Sequence, residues 1–144
     1  MNPNPVKLSD EMPREFPHLL KPDVVLWRRF LQSRHNRYST FLYDVRVGVG
    51  TDPGEDTPDN IRRMAIDLSK RRIDAIGLEP SLHTIIEISL QPGLTQIGQL
   101  TTYPTLYRTT YNYTGALSTL LVAETIHPDI KTALDSLRLP FVTV

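Results

Sequence analysis

The sequence contains no cysteine, so disulfide bonds and cysteine-ligated metal sites are excluded. It also lacks an excess of either charge, because 16 basic residues balance 16 acidic ones. A protein that binds DNA by neutralising phosphates usually has a basic excess, which here would have to be local. No apolar run approaches the ~20 residues of a membrane helix. The N-terminus has no charged-then-apolar signal pattern. We therefore expect no membrane association and no secretion by a signal peptide.

Proline is concentrated at the N-terminus, at positions 3, 5, 13 and 17. Because proline removes a backbone donor and fixes φ, residues 1–21 are predicted to form an extended arm. The remaining residues, 22–144, have the length and composition of a single α/β domain. Either this domain or a partner subunit would have to hold the arm in place, and the sequence leaves both possibilities open.

Hydrophobic periodicity predicts alternating helices and strands, which favours a mixed sheet with helices on its faces. A helix is expected to begin at Pro22, and Thr57 and Thr95 are expected to cap two more. Pro104 should kink or end the third helix. The predicted strands are 41–49, 72–78, 82–90, 116–123 and 141–144, and a last helix begins at Pro128. The strand at 116–123 is so apolar that we expect burial on both of its faces.

Two of these strands each carry one carboxylate among apolar residues. Asp74 and Glu87 lie on either side of a tight turn, so antiparallel pairing would bring them side by side. Two buried carboxylates repel each other unless a cation or a shared proton relieves them. Oxygen ligands of this kind suit Mg²⁺ or Mn²⁺, which can orient and activate water for phosphodiester cleavage. A lone Asp and Glu on adjacent strands are, however, also common as solvent-facing residues.

The segment resembles the PD-(D/E)XK nuclease superfamily, whose pattern is an Asp, a hairpin and then Glu-X-Lys. Asp74 matches the Asp and Glu87 matches the Glu. Gln99 and Tyr103 match the Gln-hydrophobic-X-X-Tyr helix of the RecB-like members, and their i, i+4 spacing places them on one helix face. The resemblance covers residues 40–125. It implies a restriction-endonuclease-like αβββαβ core with the helix at 58–70 as an insertion.

The sequence departs from this pattern at Ser89, where the family has lysine. A serine hydroxyl carries no charge and cannot by itself stabilise developing negative charge. In some members of the superfamily the lysine comes from another element, and here Lys70, Arg71 and Arg72 are the candidates, with Lys70 as the possible basic substitute.

Two functions follow from the resemblance. The first is a catalytically degenerate nuclease-fold protein without a cofactor, which serves as a structural or binding component and assembles through its arm as a homo-oligomer. Analogy with tailed-phage proteins suggests a virion head–tail connector or neck subunit, located in the cytoplasm or the virion. The alternative is an active DNA endonuclease or exonuclease that uses Mg²⁺ or Mn²⁺ bound by Asp74 and Glu87. Binding of nucleic acid without cleavage is a third possibility.

Overall fold

The computed structural model describes residues 19–144 and the backbone of residues 6–7. Apart from 6–7 and 19–21, the predicted arm lies outside the described residues. The strands are β1 (Val6–Lys7), β2 (Thr40–Val47), β3 (Arg71–Glu79), β4 (Leu82–Ser89), β5 (Ala116–Ala123) and β6 (Phe141–Thr143). The helices are α1 (Lys21–Gln32), α2 (Asp59–Leu68), α3 (Leu94–Tyr111) and α4 (Pro128–Ser136). From residue 21 onward, the predicted order of elements is confirmed.

The strands form one mixed sheet whose spatial order follows the chain, from β1 to β6. The first four strands are antiparallel neighbours, whereas β4, β5 and β6 run parallel. Parallel neighbours need crossover connections, and α3 and α4 provide them. The expected mixed α/β architecture is therefore confirmed. Two residues of the predicted arm, Val6 and Lys7, pair with β2 of the same chain.

The core lies on both faces of the sheet, because successive residues of a strand point to opposite faces. On one face α1 packs Trp27 and Phe30 against Ile86 and Ile88 of β4. On the other face α3 packs Tyr103 and Tyr107 against strand residues that include Ile85. A third cluster joins α3, β5 and α4 through Leu100, Leu121 and Leu134. We call the side of the sheet that α1 covers the α1 face, and the side that α3 covers the α3 face.

The helix starts differ from the predicted ones. Pro58, not Thr57, precedes α2, and Gly93, not Thr95, precedes α3. At the start of α3 the Gln96 side chain accepts a hydrogen bond from the Gly93 N–H at 2.8 Å. A side chain three residues into the helix thus satisfies the backbone N–H of the residue that precedes the helix, as in a capping box.

Two other expectations were wrong in part. Of the two effects expected of Pro104, a kink or an end, the end is wrong, because the third helix continues to Tyr111. Strand β5 is fully buried only at its C-terminal end, where Leu121, Val122 and Ala123 lie, while Ala116 is exposed. The reason for the second error is that β6 covers only this last part of β5, which leaves the first half at the edge of the sheet.

A candidate acidic site where β3 and β4 separate

The acidic site lies at a fork in the sheet. The recorded pairing of β3 with β4 ends at Ala75 opposite Ile86, although β3 reaches back to Arg71 and β4 continues to Ser89. Beyond this point β3 remains paired with β2, and β4 remains paired with β5. The two strands therefore diverge, and the side chains of Asp74 and Glu87 occupy the opening between them.

Side-chain hydrogen bonds replace the backbone ladder at this fork. The Ile88 N–H donates to Asp74 Oδ2 at 2.9 Å, and the Asp74 N–H lies 3.5 Å from Glu87 Oε1. The two carboxyl groups also lie within hydrogen-bonding reach of each other. The predicted convergence of Asp74 and Glu87 is thus present in the structure. We call these two residues the acid pair.

Burial controls the protonation of the acid pair. Glu87 is only 2% exposed, and its burial, followed by the nearby Asp74 charge, raises its pKa well above the ordinary value. Burial also raises the pKa of Asp74 to about 6, although the hydrogen bond from Ile88 opposes this change. Water solvates a carboxylate better than an apolar sheet does, so the pair retains a proton at a pH where exposed carboxyls have lost theirs.

Two further carboxylates act on Asp74, and the sequence analysis missed both. Asp23, in the first turn of α1, accepts a hydrogen bond from the Leu90 backbone, and its charge contributes to the raised pKa of Asp74. Asp44 contributes in the same direction from β2. Asp44 has a φ of +52°, a conformation that Asp tolerates better than most residues. Nothing in the local sequence pattern marks either residue as part of a site. For Asp23, an acidic residue in the first turn of a helix is common because it interacts favourably with the helix dipole.

The motif residues of α3 lie beside the acid pair. Tyr103 is 5% exposed, and burial followed by the negative charge of Glu87 raises its pKa. Gln99 Nε2 lies 3.3 Å from the Tyr103 hydroxyl, to which it donates, whereas Gln99 Oε1 is buried without a hydrogen-bond partner. Tyr107 is equally buried and packs in the same cluster. Tyr103 and Tyr107 therefore both pack against the sheet.

The three candidate basic residues have different surroundings. Lys70 Nζ lies 3.6 Å from Asp67 Oδ1, and Arg72 forms a two-pronged ion pair with Asp44. Arg71 instead lines a cavity of about 290 Å³ next to the motif helix. The residues that line this cavity are Arg71, Thr95, Gly98, Gln99, Thr102 and Tyr103. The structure thus brings Arg71, rather than Lys70, to the side chains of the motif helix.

Ser89 lies two residues after Glu87 on β4, so both side chains project to the same face of the strand. Its hydroxyl therefore lies on the side of the strand where the resemblance implies a lysine.

The chemistry of the acid pair suits a hard divalent cation, since Mg²⁺ is often held by one or two carboxylates and several waters. Within residues 19–144, however, no three His, Cys, Asp or Glu side chains are arranged to hold a metal ion together. Asp74 and Glu87 would therefore be the two protein carboxylates of such a site, and the bound ion would supply an activated water.

Comparisons with protein-family models, curated proteins and solved structures yield no match to this chain. Among the described residues, no helix is both long enough and apolar enough to cross a bilayer. The fold and the site define an α/β protein with a mixed sheet and a buried acid pair at the point where two strands separate.

Proposed function

We propose that this chain is a nuclease-fold protein whose acidic site is degenerate and that it works as a subunit of a protein assembly. The observation that carries the first half is that Ser89 projects to the same face of β4 as Glu87 of the acid pair. The resemblance implies a lysine where this chain has the Ser89 hydroxyl, and the cations of Lys70 and Arg72 are engaged by other carboxylates.

The second half of the proposal rests on α2. This helix contains no buried residue, and it carries three large apolar side chains at i, i+3 and i+7: Ile61, Met64 and Leu68. Their exposed fractions are 50%, 58% and 63%. We call these residues the α2 stripe. Exposed apolar clusters of this kind are typical of protein–protein contact sites, and this one lies on the helix that the resemblance treats as an insertion.

A second copy of the chain is the partner that we propose for the α2 stripe. Two α2 helices packed antiparallel across a two-fold axis would place Asp59 of one copy near the Lys70 end of the other. Their helix dipoles would also be antiparallel, which is favourable. The chain has no net charge, so no long-range repulsion opposes self-association. By analogy with tailed-phage proteins, the assembly would be a virion head–tail connector or neck.

A double variant, Met64→Glu/Leu68→Glu, is expected to abolish self-association without unfolding the protein. Each glutamate would place a charge in the centre of the interface, whereas exposed substitutions change the free energy of unfolding by only about ±0.5 kcal/mol. Sedimentation velocity over a range of protein concentrations measures the association, and circular dichroism measures the fold.

Leu137→Glu is the matched control, because Leu137 is 51% exposed and lies at the end of α4. It should associate like the wild type. A wild-type protein that remains monomeric at all concentrations would contradict the proposed assembly, and so would a double variant that still associates.

The alternative is an active Mg²⁺- or Mn²⁺-dependent DNA nuclease. It is favoured by the position of the acid pair near a cavity that contains Arg71, Gln99 and Tyr103. In that case Asp74 and Glu87 would bind the metal, Gln99 would help to position the DNA backbone, and the Arg71 guanidinium would stabilise negative charge on the phosphate. Arg71 cannot act as the general base, because it remains protonated.

Under the degenerate-site proposal, the wild type is expected to cleave neither plasmid nor single-stranded DNA with Mg²⁺ or Mn²⁺. A gel assay of labelled DNA measures this, with Asp74→Asn as the paired variant. Cleavage by the wild type that Asp74→Asn abolishes would overturn the proposal and establish the nuclease. Cleavage that survives in Asp74→Asn would indicate a contaminating enzyme.

A further inference from the structure

One of the three candidate cations has no carboxylate partner in its own chain. Lys70 and Arg72 are held by carboxylates, whereas Arg71 forms no ion pair within residues 19–144. Arg71 is exposed at the first position of β3 and lines the cavity of about 290 Å³ on the α3 face. Among the described residues of that lining, Arg71 alone carries a charge. A carboxylate from outside the chain can therefore pair with it.

Carboxylates without ion pairs lie at the opposite end of α2. Glu55, Asp56 and Asp59 are exposed, and in the described part of the chain none of them pairs with a cation. The helix and its flanks therefore have an acidic start, the apolar α2 stripe in the middle, and a basic end at Lys70 and Arg71. A second helix that runs in the opposite direction would be complementary in charge to the first.

Polar contacts hold α2 to its own domain with the apolar side outward. Asp52 forms a two-pronged ion pair with Arg62. Gly50 packs so closely against the helix that a Cβ at this position would clash with the Ile66 carbonyl oxygen. Arg62 and Ile66 are four residues apart and therefore share one side of the helix. These contacts fix that side and leave the α2 stripe free to meet a second copy.

The α2 stripe sets the register of two antiparallel helices. Ile61 of one copy would lie opposite Leu68 of the other, because these residues are the two ends of the stripe. Asp59 precedes Ile61 by two residues, and Lys70 follows Leu68 by two, so Asp59 of one copy lies level with Lys70 of the other. The carboxylates that precede Asp59 then lie beyond Lys70, where β3 begins with Arg71.

We propose that the acidic start of α2 in one copy binds Arg71 of a second copy, so that the partner contributes carboxylates to the cavity that Arg71 lines. This inference rests on the proposed self-association through the α2 stripe and adds the residues that select the partner. Both copies contribute the same surface, so each pair contains this contact twice. All three candidate cations are then engaged by carboxylates in the assembly.

Complementary charge reversals in the full-length protein test the contact. One variant is Arg71→Glu, and the other is the double variant Glu55→Lys/Asp56→Lys. Each variant alone places like charges at both contacts of the pair and is expected to associate at least about tenfold more weakly than the wild type. An equimolar mixture is expected to associate about as tightly as the wild type, because both contacts of the mixed pair join opposite charges.

Sedimentation velocity over a range of protein concentrations measures each variant and the mixture, and circular dichroism checks that each variant is folded. Native mass spectrometry with one variant isotopically labelled identifies the mixed pair. Lys131→Glu and Asp135→Lys are the matched controls, because both residues are exposed on α4, and neither should change the association.

The milder variant Arg71→Gln provides the test if a charge reversal fails to fold. It should associate more weakly than the wild type. Added sodium chloride should weaken the wild-type association more than that of Arg71→Gln, because salt screens exposed ion pairs.

A mixture that associates no better than its two components would overturn this inference, as would equal association of Arg71→Gln and the wild type. If Met64→Glu/Leu68→Glu abolishes association in either case, the assembly through the α2 stripe stands and only the Arg71 contact is wrong. A wild type that remains monomeric at all concentrations would overturn both.

Discussion

Between pH 4 and pH 7, the acid pair is expected to destabilise the folded protein progressively. At pH 7, the free energy of unfolding of Asp74→Asn is expected to exceed that of the wild type by about 3 kcal/mol. The pKa of Asp74 rises from 3.8 to about 6 on folding. Each pKa unit corresponds to about 1.4 kcal/mol of free energy, which gives the expected magnitude. Asparagine can still accept the Ile88 N–H through its amide oxygen, so the local hydrogen bond is kept.

The sign follows from proton binding. Between the unfolded pKa of Asp74, near 4, and its folded pKa, about 6, the folded state binds more protons than the unfolded state. Stability therefore falls as the pH rises through this window, which is the reverse of ordinary acid denaturation. Glu87, whose pKa is also raised, acts in the same direction and extends the loss to higher pH. Well below pH 4, at a pH under both the unfolded and the folded pKa, the two carboxyls are protonated in both states, so Asp74→Asn should have little advantage.

Urea unfolding at a series of pH values, monitored by circular dichroism, measures this difference. Asp135→Asn is a suitable control, because Asp135 is exposed on α4. Its free energy of unfolding should remain parallel to that of the wild type at every pH. If the difference between Asp74→Asn and the wild type were constant from pH 4 to pH 7, the acid pair would not be buried as described.

Trp27→Ala is expected to reduce the free energy of unfolding by about 3–5 kcal/mol, the usual cost of truncating a buried aromatic residue. Trp27 is fully buried where α1 meets the sheet. Its ring stacks on Phe30 at 5.1 Å and meets Phe41 edge-on at 5.3 Å. Its Nε1–H donates to the Tyr43 hydroxyl at 3.1 Å. The substitution would leave a large cavity and remove this hydrogen bond.

Chemical denaturation followed by circular dichroism is the appropriate measurement, because Trp27 is the only tryptophan of the chain and its fluorescence disappears with the substitution. Val25→Ala on the same helix is the control, since Val25 is 57% exposed and should change stability by no more than about 0.5 kcal/mol. A loss below 1 kcal/mol for Trp27→Ala would mean that α1 does not pack on the sheet as observed. Domains of this size have only ~5–15 kcal/mol of stability in total, so partial unfolding of Trp27→Ala is also expected.

Pro104 shows why a strong local rule failed. Proline lacks the N–H that would bind the Leu100 carbonyl, and an interior proline costs ~3 kcal/mol or more. Nevertheless α3 continues, because Leu100, Tyr103 and Tyr107 are buried on either side of the proline. Burial of such large side chains contributes ~1.5–3 kcal/mol each, which offsets the cost. The sequence shows the local penalty but not the packing that compensates for it.

The acid pair was found from the sequence because the turn between β3 and β4 is short. A short antiparallel connection fixes which residues lie opposite each other, so Asp74 and Glu87 could be placed together. Asp23 and Asp44 belong to elements that are distant in sequence, and no short turn links them to the pair. For the same reason the sequence could not distinguish among Lys70, Arg71 and Arg72 as neighbours of the motif helix.

The amino-acid sequence by itself determined the order of helices and strands, because hydrophobic periodicity is a property of consecutive residues. It also determined the pairing of the two carboxylates, through the constraint of a tight turn. Only the tertiary structure decided that β3 and β4 separate at Asp74 and that Arg71 lines the cavity beside Gln99. These features depend on contacts between segments far apart in the chain, where packing and the sheet edge, rather than local preference, set the energy.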